Sequence, residues 1–373
     1  MTGTMDGGRG RGAESPPARY LVIGTGYRAG LFVRLAAAFP HRLMATGMVA
    51  RNALRKSDAE QLFGLPGFTS IADAVTATKP DFVVAAVTWE AAPSVIISAV
   101  ELGVPILCET PPAPDLRGLN ELWSQVGGSG LVQVAEQYPL YPGHVARRRL
   151  IERGLIGKPT AVQVSSTHGY HAVALIRSML GLGYENADVT AFRSELGLVQ
   201  PSTRAGWTGD LSPRPSANVV AHLDFGSKGS ALYDFTDNQS RNPLRSNRTL
   251  VRGERGELVD DRVVRMRDET TVVESELRRR QSGIDMNFDG FDLEHIEFEG
   301  DAVYRNDWRG GRLADDEIAA ASLLEQMLLW VRDDGPEPYP LAEGCQDHLL
   351  SLAIDQSLET RRTVRTHSGP WVR

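Results

Sequence analysis

The stretch YLVIGTGYRAG, residues 20–30, decides the fold, because it joins a β-rich run to a glycine-rich turn and then to a helix. The run YLVI predicts a short strand, and LFVRLAAAF, residues 31–39, predicts a helix. The turn between them carries Gly24, Gly26 and Gly30, and the third glycine lies one residue later than in the strict G-x-G-x-x-G pattern. A strand, a glycine turn and a helix in this order are typical of a βαβ unit.

Such a turn has a physical use, because glycines let the backbone come close to a pyrophosphate whose charge the helix N-terminus then stabilises. The sequence therefore predicts a dinucleotide site in which Gly24, Thr25, Gly26, Tyr27 and Arg28 contact the bound nucleotide. The alternative is a tight glycine turn that holds no ligand. The position of the turn, directly after the first predicted strand, favours the nucleotide site.

The residues that follow continue the alternation of strands and helices. We predict strands at residues 43–50, 82–87 and 104–108, helices at 52–63 and 92–102, and short connections up to residue 134. This pattern is typical of a doubly wound parallel sheet with helices on both faces. The sequence therefore predicts a Rossmann domain over residues 18–135.

The pattern changes after about residue 155. A helix is predicted at 172–180, followed by extended segments with a period of two at 218–225, 230–236, 248–251, 257–266 and 294–304. Two long amphipathic helices are predicted at 315–331 and 343–360, and we expect them to pack back on the N-terminal domain. Residues 136–373 are thus predicted to form an α+β domain with an open, mostly antiparallel sheet.

Composition limits the possible functions. The chain has 373 residues and a formal net charge of −7, which gives no overall basic field for nucleic acid. No apolar run approaches the roughly 20 residues of a membrane span, and residues 1–17 are predicted to be a disordered tail rather than a signal peptide. These features predict a cytoplasmic protein that binds neither membrane nor nucleic acid.

No metal site is predicted. Cys108 and Cys345 are too few for a cysteine site, and the histidines and acids lack zinc-ligand spacing. The run DMNFDG at 285–290 resembles the start of a calcium loop, but the twelfth position is Ile296 rather than a glutamate.

The end of the second predicted strand bears on the choice of cofactor. An acidic residue there would accept hydrogen bonds from the adenosine ribose and favour NAD, whereas this chain has Ala50 and Arg51. An arginine can pair with a 2′-phosphate. We therefore predict NADP as cofactor, with NAD possible; the alternative for Arg51 is a solvated surface residue.

Several landmarks together resemble the glucose–fructose oxidoreductase / inositol dehydrogenase / rhizopine-catabolism (Gfo/Idh/MocA) family, from about residue 20 to 364. They are the glycine turn, KPD at 79–81, GVPILCETP at 103–111, GLIGKP at 154–159 and HAVALIRSMLG at 171–181. The resemblance implies NAD(P)-dependent oxidation or reduction of sugars, cyclitols and related compounds. It also implies a homodimer or homotetramer assembled through the C-terminal sheet.

The chain also departs from the family pattern. Thr110 stands where the family carries the lysine of Glu-Lys-Pro, and Thr167 stands where an aspartate often precedes the family histidine by four residues. The family's Thr-Pro-Asn after the third long strand is replaced by Val-Thr-Trp at 87–89, and Tyr138 lies where arginine is frequent. The family's usual lysine role is therefore absent.

The resemblance assigns the remaining candidates. His171 keeps the family's histidine position and is the first choice for acid/base work, with Tyr138 or His168 assisting. Thr88, Trp89, Glu109 and Thr110 are expected around the nicotinamide, and for Trp89 the alternative is a core aromatic.

Three other functions stay open. Thiazolinyl imine reductases, which reduce C=N, also lack the lysine; some family relatives are NAD-dependent glycosidases. The yeast galactose-regulon repressor, a non-catalytic cofactor-sensing protein, shares the fold.

Overall fold

A computed structural model describes residues 16–283, 287 and 289–372. Residues 1–15, which make up most of the predicted tail, lie outside the described residues. The same is true of Asp285, Met286 and Phe288 in the segment that resembles a calcium loop.

The N-terminal domain is a six-stranded, fully parallel sheet with strand order β3-β2-β1-β4-β5-β6. Its central strands are buried on both faces and read as continuous apolar runs, which is why the alternation of strand and helix is visible in the sequence. The strands are β1 Ala18–Ile23, β2 Leu43–Val49, β3 Gly67–Phe68, β4 Phe82–Ala85, β5 Ile106–Cys108 and β6 Val132–Val134. The helices are α1 Tyr27–Ala38, α2 Ala53–Phe63, α3 Ile71–Thr78, α4 Ala92–Glu101 and α5 Leu116–Val126.

The second half of the chain is built on an eleven-stranded sheet, ordered β18-β17-β16-β15-β14-β13-β7-β12-β11-β8-β19. All its neighbouring strands are antiparallel except the parallel pair β7 and β12. The strands are β7 Pro159–Ser165, β8 Asp188–Val199, β11 Pro213–Asp224, β12 Ser230–Thr236, β13 Arg248–Gly253, β14 Gly256–Val259, β15 Arg262–Met266, β16 Val272–Ser282, β17 Asp292–Phe298, β18 Asp301–Arg305 and β19 Val364–Arg365. A separate small hairpin, β9 Ser202–Thr203 and β10 Gly206–Trp207, lies between β8 and β11.

Four helices accompany this sheet. They are α6 Pro142–Glu152, α7 Gly169–Leu180, α8 Asp315–Val331 and α9 Leu341–Thr360, and a short 3-10 helix, Tyr138–Leu140, leads into α6. The α/β fold class, with a Rossmann sheet and a mostly antiparallel second sheet, is therefore confirmed.

Two segments that were each predicted as one strand form two strands in the structure, so these predictions were wrong. Residues 257–266 form the hairpin β14–β15, which turns at Asp260 with a φ of 52°. Residues 294–304 form the hairpin β17–β18, which turns at Glu299 and Gly300 with φ values of 52° and 91°. Left-handed backbone at an aspartate or glutamate gives only a weak sequence signal, because glycine and asparagine are the usual residues there.

The two C-terminal helices complete the N-terminal core, as predicted. Leu341, Cys345 and Leu349 of α9 lie in one apolar cluster with Ile106 and Val134 of the parallel sheet. Helix α8 packs against α1, β1 and β4. None of the described helices is long and apolar enough to cross a bilayer.

Candidate active site

The glycine turn has the geometry that a nucleotide site requires. Gly24 has a φ of 120°, and a Cβ added there would lie 2.2 Å from the carbonyl oxygen of Ala86, so only glycine fits. At Gly26, which caps α1, an added Cβ would meet no atom within 4 Å. The turn is therefore closed on the side of the sheet and open above the helix N-terminus.

Among the described residues, no side chain caps that helix N-terminus. Asn52, Ser70 and Asp115 cap α2, α3 and α5 with side-chain oxygens, whereas α1 has no side-chain cap and no acidic residue in its first turn. Free N–H groups and the positive end of the helix dipole attract a phosphate. The residues present fit the pyrophosphate of a dinucleotide.

An ion pair borders this turn. The Nε of Arg28 donates to the Oε1 of Glu109 at 2.7 Å. This pair joins a predicted nucleotide-binding residue of α1 to one that follows β5. Burial opposes the charge of Arg28, but Glu109 outweighs it and holds the pKa of the guanidinium above its usual range. Thr110 follows, half-buried, with a cis peptide bond to Pro111.

The other predicted contacts to the nucleotide lie at strand ends of the same sheet. Thr88 and Trp89 follow β4, and both are exposed. The side chain of Trp89 is 57% exposed, so the alternative of a core aromatic residue is wrong. Arg51 follows β2; it is exposed and has no ion pair with another described residue. Neighbouring Asn52 caps α2 by accepting from the Arg55 N–H at 2.9 Å.

The predicted catalytic residues come together around a carboxylate that the sequence analysis missed. Glu136 follows β6 and is 1% exposed. Its Oε2 lies 2.6 Å from the Nδ1 of His171, and its Oε1 accepts from the backbone N–H of Tyr138 at 2.8 Å. When Nδ1–H donates to this carboxylate, Nε2 is the unprotonated nitrogen of the neutral imidazole.

Aromatic rings hold His171 from one side. The ring of Tyr138 stacks on His171 with centroids 4.4 Å apart, and Tyr141 stacks on Tyr138 at 4.7 Å. Burial, together with the neighbouring Tyr138 hydroxyl, raises the pKa of Tyr141, so that its phenol stays protonated. The stack restricts rotation of the imidazole.

His168 lies at the edge of the same group, with its ring 5.1 Å from that of His171. Although part of the residue is exposed, loss of water around the ring and the neighbouring His171 together lower its pKa to about 4. His168 is therefore neutral at neutral pH.

Thr167 stands where the family often carries an aspartate, and it is fully buried. Its hydroxyl has no hydrogen-bond partner among the described residues. The carboxylate beside His171 thus comes from the end of β6 rather than from the segment before α7. A polar residue directly after a buried parallel strand is the signal that could have identified Glu136.

Comparison with known proteins agrees with this geometry. Residues 18–136 match the model of the Gfo/Idh/MocA family, described as an oxidoreductase family with an NAD-binding Rossmann fold. An inositol 2-dehydrogenase from Corynebacterium glutamicum is 34% identical over 103 residues, which are 27% of this chain. The match spans only 30% of that curated relative.

Solved structures share the fold over nearly the whole chain. An oxidoreductase from Agrobacterium radiobacter, solved with NAD+, L-tartaric acid and magnesium, has a TM-score of 0.67 and 15% identity and aligns over 93% of this chain and 98% of its own. Levoglucosan dehydrogenase with NADH and levoglucosan has a TM-score of 0.65 and 17% identity over 94% of this chain and 99% of its own. Residues 18–136 are therefore similar to the NAD-binding Rossmann domain of the Gfo/Idh/MocA oxidoreductase family.

Proposed function

We propose that the protein is an NAD(P)-dependent oxidoreductase that acts on a polar small molecule such as a sugar, a cyclitol or a derivative of one. The observation that carries this proposal is the Glu136–His171 pair, an oriented imidazole built at the strand ends of a nucleotide-type sheet. The substrates named for the relatives, inositol and levoglucosan, support the substrate class.

The residues proposed to hold the cofactor form two groups. The turn and the start of α1 would bind the pyrophosphate, and the ends of β4 and β5 would surround the nicotinamide. When bound, the nicotinamide would supply the two-electron redox chemistry. The first group is Gly24, Thr25, Gly26, Tyr27 and Arg28, and the second is Thr88, Trp89, Glu109 and Thr110.

The protein's own contribution is to move one proton. The Nε2 of His171 would take the proton of a substrate hydroxyl during oxidation, or return one to a carbonyl oxygen during reduction. The carboxylate of Glu136 stabilises the imidazolium that oxidation creates, and the ring of Tyr138 keeps the imidazole in place. His168, whose ring lies beside that of His171, is assigned an assisting role.

The first test is a fluorescence titration of the protein with NADPH and, in parallel, with NADH. We expect tighter binding of NADPH, because Arg51 is an exposed cation after β2 that pairs with none of the described carboxylates. Arg51→Ala should weaken NADPH binding by about tenfold, the loss of one charge-assisted contact, and leave NADH binding unchanged. The matched control is Arg55→Ala, one turn further along α2. Equal affinities of the wild type for both nucleotides would contradict NADP preference. If the wild type binds neither NADPH nor NADH, the oxidoreductase proposal is contradicted.

Reduction of C=N is the second candidate. Thr110 favours it, because a neutral side chain of short reach replaces the family lysine, and an imine needs less help from a basic protein group. Screening carbonyl and imine substrates against NADPH oxidation separates the two reactions. Hydrolysis without net nicotinamide turnover would instead indicate a glycosidase. Nucleotide binding with no substrate-dependent change in nicotinamide absorbance would indicate a sensor.

We also propose a cytoplasmic homodimer or homotetramer assembled through the open face of the large sheet. Phe192 and Leu196 of β8 lie four residues apart on one face and are 69% and 62% exposed. Phe192→Glu is expected to shift the protein toward monomer in size-exclusion chromatography with light scattering. A wild-type protein that is already monomeric at micromolar concentration would contradict this assembly.

A further inference from the structure

The small hairpin between β8 and β11 is not used by the mechanism above. Ser202–Thr203 and Gly206–Trp207 pair as a two-stranded unit outside the large sheet. Side chains of the segment after β12 hold its base. Asn238 donates to the Oε1 of Gln200, and Asn242 donates to the carbonyl of Val199, both at 2.9 Å. The large sheet therefore fixes where the hairpin tip lies.

The tip of the hairpin contacts the start of α1 beside the glycine turn. The guanidinium carbon of Arg204 lies 4.9 Å from the ring centroid of Tyr27, the residue directly after Gly26. Tyr27 is still 62% exposed, so the guanidinium covers only part of its ring. Arg204 is exposed and makes no ion pair with any described carboxylate. A cation of the C-terminal domain thus lies beside the open N-terminus of α1 without an acidic partner.

We propose that Arg204 is a further cofactor-binding residue, which reaches from the C-terminal domain to the pyrophosphate of the nucleotide held at α1. This inference rests on the proposed function. A planar guanidinium can donate two parallel hydrogen bonds to phosphate oxygens, which a helix N-terminus alone does not provide. The ring of Tyr27 keeps the guanidinium over the turn through a cation–π contact. The bound nucleotide would then join the two domains.

The test is a titration with NADH, NADPH and ADP-ribose, which all carry the pyrophosphate. Arg204→Ala is expected to weaken all three by at least about tenfold, because a charge-assisted contact is lost. Arg204→Lys should recover part of the affinity, since it restores the charge but not the planar fork. The control is Arg245→Ala, an exposed arginine whose contact is to the carbonyl of the adjacent Leu244.

A double-mutant cycle tests whether Tyr27 positions Arg204. In a Tyr27→Leu background, Arg204→Ala should have a smaller effect on affinity than in the wild type. Thermal unfolding of each variant confirms that it is folded. If the wild type binds nucleotide and Arg204→Ala binds equally well, only this inference is overturned. If the wild type binds none of the three ligands, both this inference and the proposed function are overturned.

Discussion

His171→Asn is expected to lower kcat by about 10²–10⁴-fold and to leave nucleotide affinity unchanged, because it removes proton transfer but no cofactor contact. Steady-state kinetics on the substrate identified by the screen, together with the nucleotide titration, measures both effects. The control is His222→Asn, an exposed histidine on β11. Wild-type turnover in His171→Asn would contradict the assignment of His171 as the acid/base group.

Glu136→Gln tests the positioning role by a different readout. Glutamine can still accept from the backbone N–H of Tyr138, but its NH2 group can no longer accept a hydrogen bond from Nδ1–H and favours the wrong tautomer. We expect a loss in kcat of about 10²-fold or more. The affinity for nucleotide should stay unchanged, because Glu136 is not among the residues proposed to hold the cofactor. A purely structural role would lower the melting temperature of the variant together with its activity.

His168 provides an internal comparison for His171. Its pKa is lowered to about 4, so it gains a proton only when the pH falls below that value, and it stays neutral throughout the range above pH 5. His168→Asn is therefore expected to reduce kcat less than His171→Asn does. A larger loss of kcat in His168→Asn would exchange the two roles.

Gly26→Ala is expected to weaken nucleotide binding by about 10- to 100-fold without destabilising the protein. An added Cβ meets no protein atom within 4 Å and therefore projects into the space proposed for the pyrophosphate. The titration gives the affinity, and thermal unfolding gives the stability.

Two other glycines make this result interpretable. Gly128→Ala, in the same domain and equally free of neighbours within 4 Å, should change neither affinity nor stability. Gly24→Ala should destabilise the turn, because its Cβ would lie 2.2 Å from the carbonyl oxygen of Ala86. Unchanged nucleotide affinity in Gly26→Ala would place the nucleotide elsewhere.

The N-terminal domain could be predicted from the sequence because its strands are buried on both faces. Runs such as FVVA and ILC are apolar throughout, and they alternate with helices of ordinary length. The strands in the second half of the chain were harder to predict. Strands β8 and β16 were missed, because β8 exposes Phe192 and Leu196 while five of the eleven residues of β16 are charged, so neither has a clean alternation of apolar and polar residues.

The candidate site was predictable only in part, for a related reason. The glycine turn is local, so its residues are recognised together, whereas Glu136 and His171 are 35 positions apart and meet through the docking of α7 against the end of β6. The contact between Arg204 and Tyr27 spans the two domains and has no local pattern at all. Long-range pairs of this kind depend on tertiary packing, which periodicity and spacing do not report.

The completion of the first core by α9 has a consequence for biosynthesis. Leu341, Cys345 and Leu349 cover apolar side chains of the parallel sheet, yet they are translated after every strand of the large sheet except β19. A nascent Rossmann domain on the ribosome would therefore expose that surface until the last helix emerges. Folding of the two halves is thus coupled in time, and a shortened chain that ends before α9 would be a substrate for chaperones rather than an independent nucleotide-binding module.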